Sequence, residues 1–169
     1  MCEVSVRNRD RGYRIDLELV KAVALDLLRR SPWHPEEAVP YGFELGIEFL
    51  PSGSMAQVNQ NHLGHAGSTD VITFDYGRIP GSDSARTLHC GEIMICPEVA
   101  VAQGRQFGTT WQTELARYLI HGILHLHGYD DQTPQARRVM KRAESRLLRE
   151  TLARFAIRGL GVKRRSPKV

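Results

Sequence analysis

Cysteine is scarce in this chain, and its three residues, Cys2, Cys90 and Cys96, form no C-x-x-C pair. An odd count at such spacings excludes a disulfide framework and leaves reduced thiols, with buried packing as their expected role. Long apolar runs are missing as well. Nothing reaches the roughly 20 residues of a membrane span, and the opening MCEVSVRNRDRGYR has no apolar signal-peptide core, so a cytoplasmic protein with no membrane partner is expected. Internal repeats and low-complexity linkers are also absent. At 169 residues, 41% hydrophobic and 25% charged, the composition is globular and excludes a mainly disordered protein. The expected organisation is one domain over residues 1–158 and a basic tail over 159–169.

Charge of one sign is only mildly in excess. A net +4 and a pI near 9.2 permit an anionic partner without requiring one. The cations crowd the last third, from Arg137, Arg138 and Lys141 to Arg165 and Lys168. Such a run suits a nucleic-acid surface, and equally a solvated helix face followed by an unstructured tail.

What is present in quantity is metal-ligand chemistry, gathered in residues 121–131, HGILHLHGYDD. In a helix over 111–127, His121 and His125 project from one face about 6 Å apart, a separation one metal ion can bridge. Zinc takes imidazole nitrogen and carboxylate oxygen in a tetrahedral shell, and a catalytic site keeps three protein ligands and one open position. Gly128 can adopt the left-handed conformation that ends a helix and turns the chain back. Asp130 or Asp131 is then placed to return a carboxylate. His127, two residues past His125, points to nearly the opposite face, toward solvent or packing.

Upstream, a short strand at Val4–Val6 leads into a connection over 7–14. Apolar positions at helical spacing predict a helix over 15–30, broken by the proline-rich stretch 31–41. Phe43, Leu45, Ile47 and Phe49 alternate with polar or small residues as in a half-buried strand. A short helix through Met55, Val58 and Asn59 precedes a polar, flexible segment at 61–68 that carries His62 and His65. Strands at 71–74 and 92–96 flank a polar loop at 77–86. Pro97 suits the first turn of a helix, and Thr110 or Thr113 suits the cap of the main helix. Thr133 followed by Pro134 starts the last helix, whose stripe is Val139, Ala143, Leu147 and Leu148.

Zinc held by two histidines and a carboxylate acidifies its water and polarises a carbonyl or phosphoryl oxygen, so hydrolysis is the natural chemistry. The spacing follows the longer metalloprotease pattern, yet the glutamate base beside the first histidine is replaced by Gly122. Peptide hydrolysis without it loses about a hundredfold or more. Phosphodiester cleavage depends less on that position, because RNA brings its own 2′-hydroxyl.

These residues resemble a known family. HGILHLHGYDD is similar to the HGxLHLxGYDH signature of the YbeY family, zinc-dependent endoribonucleases of ribosomal RNA maturation. Asn59 with Thr69-Asp70-Val71-Ile72-Thr73-Phe74, Gly91-Glu92-Ile93 and Glu114-Leu115-Ala116 resemble further segments of that family. The resemblance implies an α+β fold, a small mixed sheet with surrounding helices and a zincin-like metal site on a helix. It implies a single-strand-specific endoribonuclease acting on the 16S 3′ end and in ribosome quality control, with one zinc held by His121, His125 and Asp131. RNA is the implied partner, with small-subunit ribosomal proteins or a ribosome-associated GTPase beside it. A metalloprotease-like hydrolase or a weakly catalytic ribosome-assembly factor is the alternative.

Two departures stand out. The family's third ligand is usually histidine, so Asp131 adds a negative charge, and its usual arginine falls at Leu63. Another cation is then expected to contact substrate: His65, Arg78 or Arg86, or else His62. Glu92 is a candidate hydrogen-bond partner for a ligand histidine, and Asp70 reads first as a turn residue.

Overall fold

The structure, a computed structural model, describes residues 2–34, 42–80 and 87–164. Strands β1 (Cys2–Asn8), β3 (Gly42–Phe49) and β5 (Thr87–Ile95) run parallel, and β4 (Val71–Pro80) pairs antiparallel with β5, in the order β1-β3-β5-β4. The alternation read in β3 holds for its apolar positions: Phe43, Leu45, Ile47 and Phe49 are buried and Glu44 is exposed, while Glu48 is buried and paired with Arg9 at 3.0 Å. A second small sheet pairs β2 (Tyr13–Ile15) with β6 (Gly161–Lys163). The fold is α+β, as the resemblance implied.

One face of the main sheet is covered by α1 (Leu17–Arg30) and α4 (Trp111–Leu126). The Asp16 carboxylate caps α1 by accepting from the Leu19 N–H at 3.0 Å, and Val20, Val23, Ala24 and Leu27 fill its core stripe. On the other face, α2 (Ser52–Leu63) closes a smaller cluster around Met55, Ile72 and Cys96, and α3 (Pro97–Phe107) packs on α4 and reaches that cluster through Val99. α5 (Pro134–Arg154) packs on α4, with Thr133 capping it through the Ala136 N–H at 3.1 Å.

Two glycines set how closely α4 approaches β5. A Cβ on Gly91 would lie 2.6 Å from Leu126 Cδ2, and one on Gly122 would lie 2.8 Å from Ile93 Cδ1. Neither position admits a side chain unless the buried Leu126 or Ile93 side chain is displaced. Gly122 therefore faces the sheet, and a protease-type glutamate is sterically excluded there.

Four local expectations are corrected. The connection at 7–14 is strand at both ends and a turn only over 9–12, because β1 runs to Asn8 and β2 opens at Tyr13. The segment at 61–68 is helical as far as Leu63, where Gly64 at φ 69° ends α2. The loop at 77–86 is strand up to Pro80, since a bulge at Asp75/Gly77 absorbs the irregular residue with Gly77 at φ 75°; residues 81–86 lie outside the described ones. The tail does not begin at 159. A 3-10 turn, Ile157–Leu160, buries Ile157 and Leu160, and β6 follows against β2. The sequence hides this because two apolar anchors sit among cations; residues 165–169 lie outside the described ones, as does most of the proline-rich break.

Candidate metal centre

His121 and His125 leave α4 one turn apart, and their Nε2 atoms face each other at 3.0 Å. Each Nδ1 is held from behind: that of His121 lies 3.2 Å from Glu144 Oε2, and that of His125 lies 3.0 Å from the Tyr129 carbonyl. Both partners can only accept, so each Nδ1 carries a proton and each Nε2 is turned inward. Burial, and then the neighbouring His121, push the His125 pKa down and keep that ring neutral. A metal ion between the two Nε2 atoms would be bound by both.

The third ligand atom comes from the turn after α4. Gly128, at φ 87°, donates its N–H to the His125 carbonyl at 2.9 Å, and Tyr129 donates to the Leu124 carbonyl at 3.0 Å, the paired bonds of a Schellman stop. The same turn delivers the Tyr129 carbonyl to His125. Asp130 Oδ1 then accepts from the Asp131 and Gln132 N–H groups at 2.8 and 3.2 Å. That occupies Asp130 with the backbone, while Asp131 Oδ2 stands 3.9 Å from His121 Nε2. Ligand atoms of His121, His125 and Asp131 lie within 4.8 Å of one another. Tetrahedral zinc, at about 2.0–2.1 Å from each ligand, holds such atoms about 3.3 Å apart. The cluster can hold a metal ion with small side-chain adjustments.

Beneath it lies a charged network. Glu144, 3% exposed, accepts from His121, from Lys141 Nζ at 3.2 Å and from Arg117 Nη1 at 3.3 Å. Burial alone would raise its pKa; the His121 hydrogen bond and the Lys141 ammonium outweigh that and hold it at about 2. Arg117 also donates through Nε to the buried Glu114 at 3.0 Å, whose other oxygen accepts from Thr109 at 2.6 Å. Burial opposes the Arg117 charge, but bonds to both carboxylates prevail and raise its pKa.

The ligands open onto a cleft of about 650 Å³ whose walls include His121, Asp131, Asp70, Arg117, Arg137 and Lys141. Phe107, 61% exposed, and Tyr118 supply its aromatic surface. The Tyr118 hydroxyl donates to Gln103 at 2.7 Å, and burial pushes its pKa up so that it keeps its proton. The Asp70 carboxylate accepts from the Val71 N–H at 2.8 Å and from Thr69 at 3.0 Å, the turn role expected of it.

Other expected contacts fall elsewhere. His65 is exposed beyond α2, Arg78 is exposed on β4, and neither lines the cleft. His62 meets Phe74 edge-on at 5.2 Å in a separate groove with Arg7 and Arg9. Leu63 is the last residue of α2, and Arg86 lies outside the described residues. Glu92 accepts from Tyr76 at 2.9 Å on the sheet face away from α4, so the carboxylate behind His121 is Glu144 instead. His127 packs, fully buried, against Trp33. Of the basic run, Arg146 pairs with Glu150 and Arg154 with Asp26, while Arg137 and Lys141 reach the cleft. Glu144 was discoverable as one of only two acids in the basic α5, on the helical face of Arg137 and Lys141.

A sequence model of endoribonuclease YbeY matches residues 5–152. The chain belongs to the YbeY family. Relatives named endoribonuclease YbeY include that of Bdellovibrio bacteriovorus, 36% identical over 117 residues, covering 69% of this chain and 71% of that one. The YbeY of Nocardioides sp. is 31% identical over 146 residues, covering 85% and 94%. The solution structure of TM1509 from Thermotoga maritima superposes with a TM-score of 0.58 at 21% identity, covering 89% of this chain and 90% of that one. At that identity it speaks for the fold alone. In this YbeY family member the Asp131 carboxylate stands with the two histidines, and no helix among the described residues is long and apolar enough to cross a membrane.

Proposed function

We propose that this chain is a zinc-dependent endoribonuclease that cuts single-stranded RNA, with His121, His125 and Asp131 as its metal ligands. The observation that carries the reading is the pair of inward-facing Nε2 atoms, 3.0 Å apart, at the wall of a cleft that also presents Arg117, Arg137 and Lys141. Its family membership favours RNA as the substrate. Zinc held there supplies a Lewis acid for a phosphoryl oxygen. Glu144 and the Tyr129 carbonyl fix the tautomer and aim of the two histidines. The cleft cations draw the phosphate backbone in, and the 2′-hydroxyl of RNA is available as internal nucleophile. Phe107 offers a flat exposed ring at the cleft, on which an unpaired base can stack. Duplex RNA keeps its bases inside the stack and gains nothing from that ring.

Gly122 packed on Ile93 disfavours the protease reading. The cellular task we assign to it is maturation of the 16S ribosomal RNA 3′ end and ribosome quality control in the cytoplasm, beside small-subunit proteins or a ribosome-associated GTPase. The test is cleavage of a single-stranded RNA and of its duplex, each with and without chelator. Cleavage of the single strand alone, lost with chelator and regained with zinc, is expected. Binding of RNA without cleavage would move the reading to an assembly factor.

A further inference from the structure

Three cations line the cleft, and two of them are already balanced. Arg117 commits Nε to Glu114 and Nη1 to Glu144, and Lys141 commits its ammonium to Glu144, so two positive charges face two buried carboxylates. Arg137 differs. Among the described residues it makes no ion pair, and its one hydrogen bond runs from Nε to the backbone carbonyl of Asp131 at 3.1 Å. That bond roots the guanidinium on the very residue whose carboxylate completes the metal cluster. Its Nη1 and Nη2 remain uncommitted.

We infer that Arg137 binds the scissile phosphate of the RNA substrate, pairing its uncommitted guanidinium edge with the non-bridging oxygens. The inference rests on the ribonuclease reading above. A guanidinium matches a phosphate with two parallel N–H donors, and Arg137 is the cleft cation with both the charge and the donors to spare. Tied to the Asp131 backbone, it lines the same cleft as His121 and Asp131 and stands beside the metal cluster. It also offsets the charge that a carboxylate ligand brings to the site, so that the cleft stays attractive to an anion. Arg137 lies in the first turn of α5 and is exposed, which makes its replacement compatible with folding.

The experiment compares zinc-loaded wild type, Arg137→Ala and Arg137→Lys for kcat and KM on a single-stranded RNA at several salt concentrations, with metal content and melting temperature measured on each. The expected result for Arg137→Ala is a kcat/KM lower by on the order of a hundredfold. The slope of log kcat/KM against log salt should be shallower by about 0.7, the contribution of one phosphate contact on a single strand. Arg137→Lys, which keeps the charge but not the Nε bond, should hold the wild-type slope and recover part of the rate. A wild-type salt slope in Arg137→Ala overturns the inference, whatever the rate, and makes Arg137 a brace for Asp131. Should wild type itself cleave no RNA, the ribonuclease reading fails, and this inference with it.

Discussion

His125 and His127 stand two residues apart at the end of one helix and behave as different chemical species. His125 has an acceptor behind Nδ1 and a second imidazole before Nε2. His127 has neither. Its ring lies flat against Trp33, with centroids 4.2 Å apart and planes 14° from parallel, and neither nitrogen meets a hydrogen-bond partner of good geometry. Burial pushes its pKa down to about 4, although the backbone of Pro32 and Ser31 acts the other way. A histidine becomes a ligand when something else takes its second nitrogen; without that, it packs as an aromatic ring. The same contrast separates the sheet side of α4, where Gly122 admits no side chain, from its cleft side, where His121 meets Glu144.

Removing a ligand should have the largest effect. His125→Ala should lose bound metal and lower RNA cleavage to background, whereas His127→Phe should keep both; elemental analysis and a cleavage assay on the two variants decide it. Retention of metal and activity by His125→Ala would erase the distinction.

The buried ring makes the next prediction, in pH. Folded His127 has a pKa of about 4 against an ordinary value of 6.5, so between these pH values the unfolded chain binds a proton that the folded chain does not. Its contribution is intact above pH 6.5 and drains away as pH falls toward 4, to a total of about 3 kcal/mol. Urea unfolding of chelated protein across that window should show the decline, and His127→Phe should flatten it. An unchanged slope in the variant would place the titration elsewhere.

Glu144→Gln sharpens the ligand side. It keeps the shape but weakens the hold on His121 Nδ1, and metal affinity should fall about tenfold to a hundredfold. Competition with a fluorescent chelator measures this. The smallest effect belongs to Phe107→Ala, which should weaken single-stranded RNA binding by about 1 kcal/mol, toward the lower end for one stacked base, and leave metal affinity alone. Equal binding by wild type and variant would remove Phe107 from the site.

Much of this was legible in the sequence because it is local. Helical spacing put His121 and His125 on one face, Gly128 marked the stop, and the alternation in β3 marked the sheet. Choosing between Asp130 and Asp131 needed the turn itself, since only backbone geometry shows Asp130 Oδ1 taken up by two N–H groups. The bond between Arg117 and Glu144 was hidden because the two residues come from different helices, and no periodicity reports on a contact between 117 and 144. The strand at Gly161–Lys163 was hidden for a similar reason: three residues carry no pattern, and their pairing partner is Tyr13–Ile15, far away in the sequence.

Whether the three ligands hold a catalytic zinc is decided by titrating the chelated protein with zinc while single-stranded RNA cleavage is followed, alongside Asp131→Ala. The account predicts activity that rises linearly and stops at one equivalent per chain, with Asp131→Ala inactive at the same metal concentration. Full cleavage by the metal-free protein, or an Asp131→Ala curve superimposed on the wild type, would contradict it.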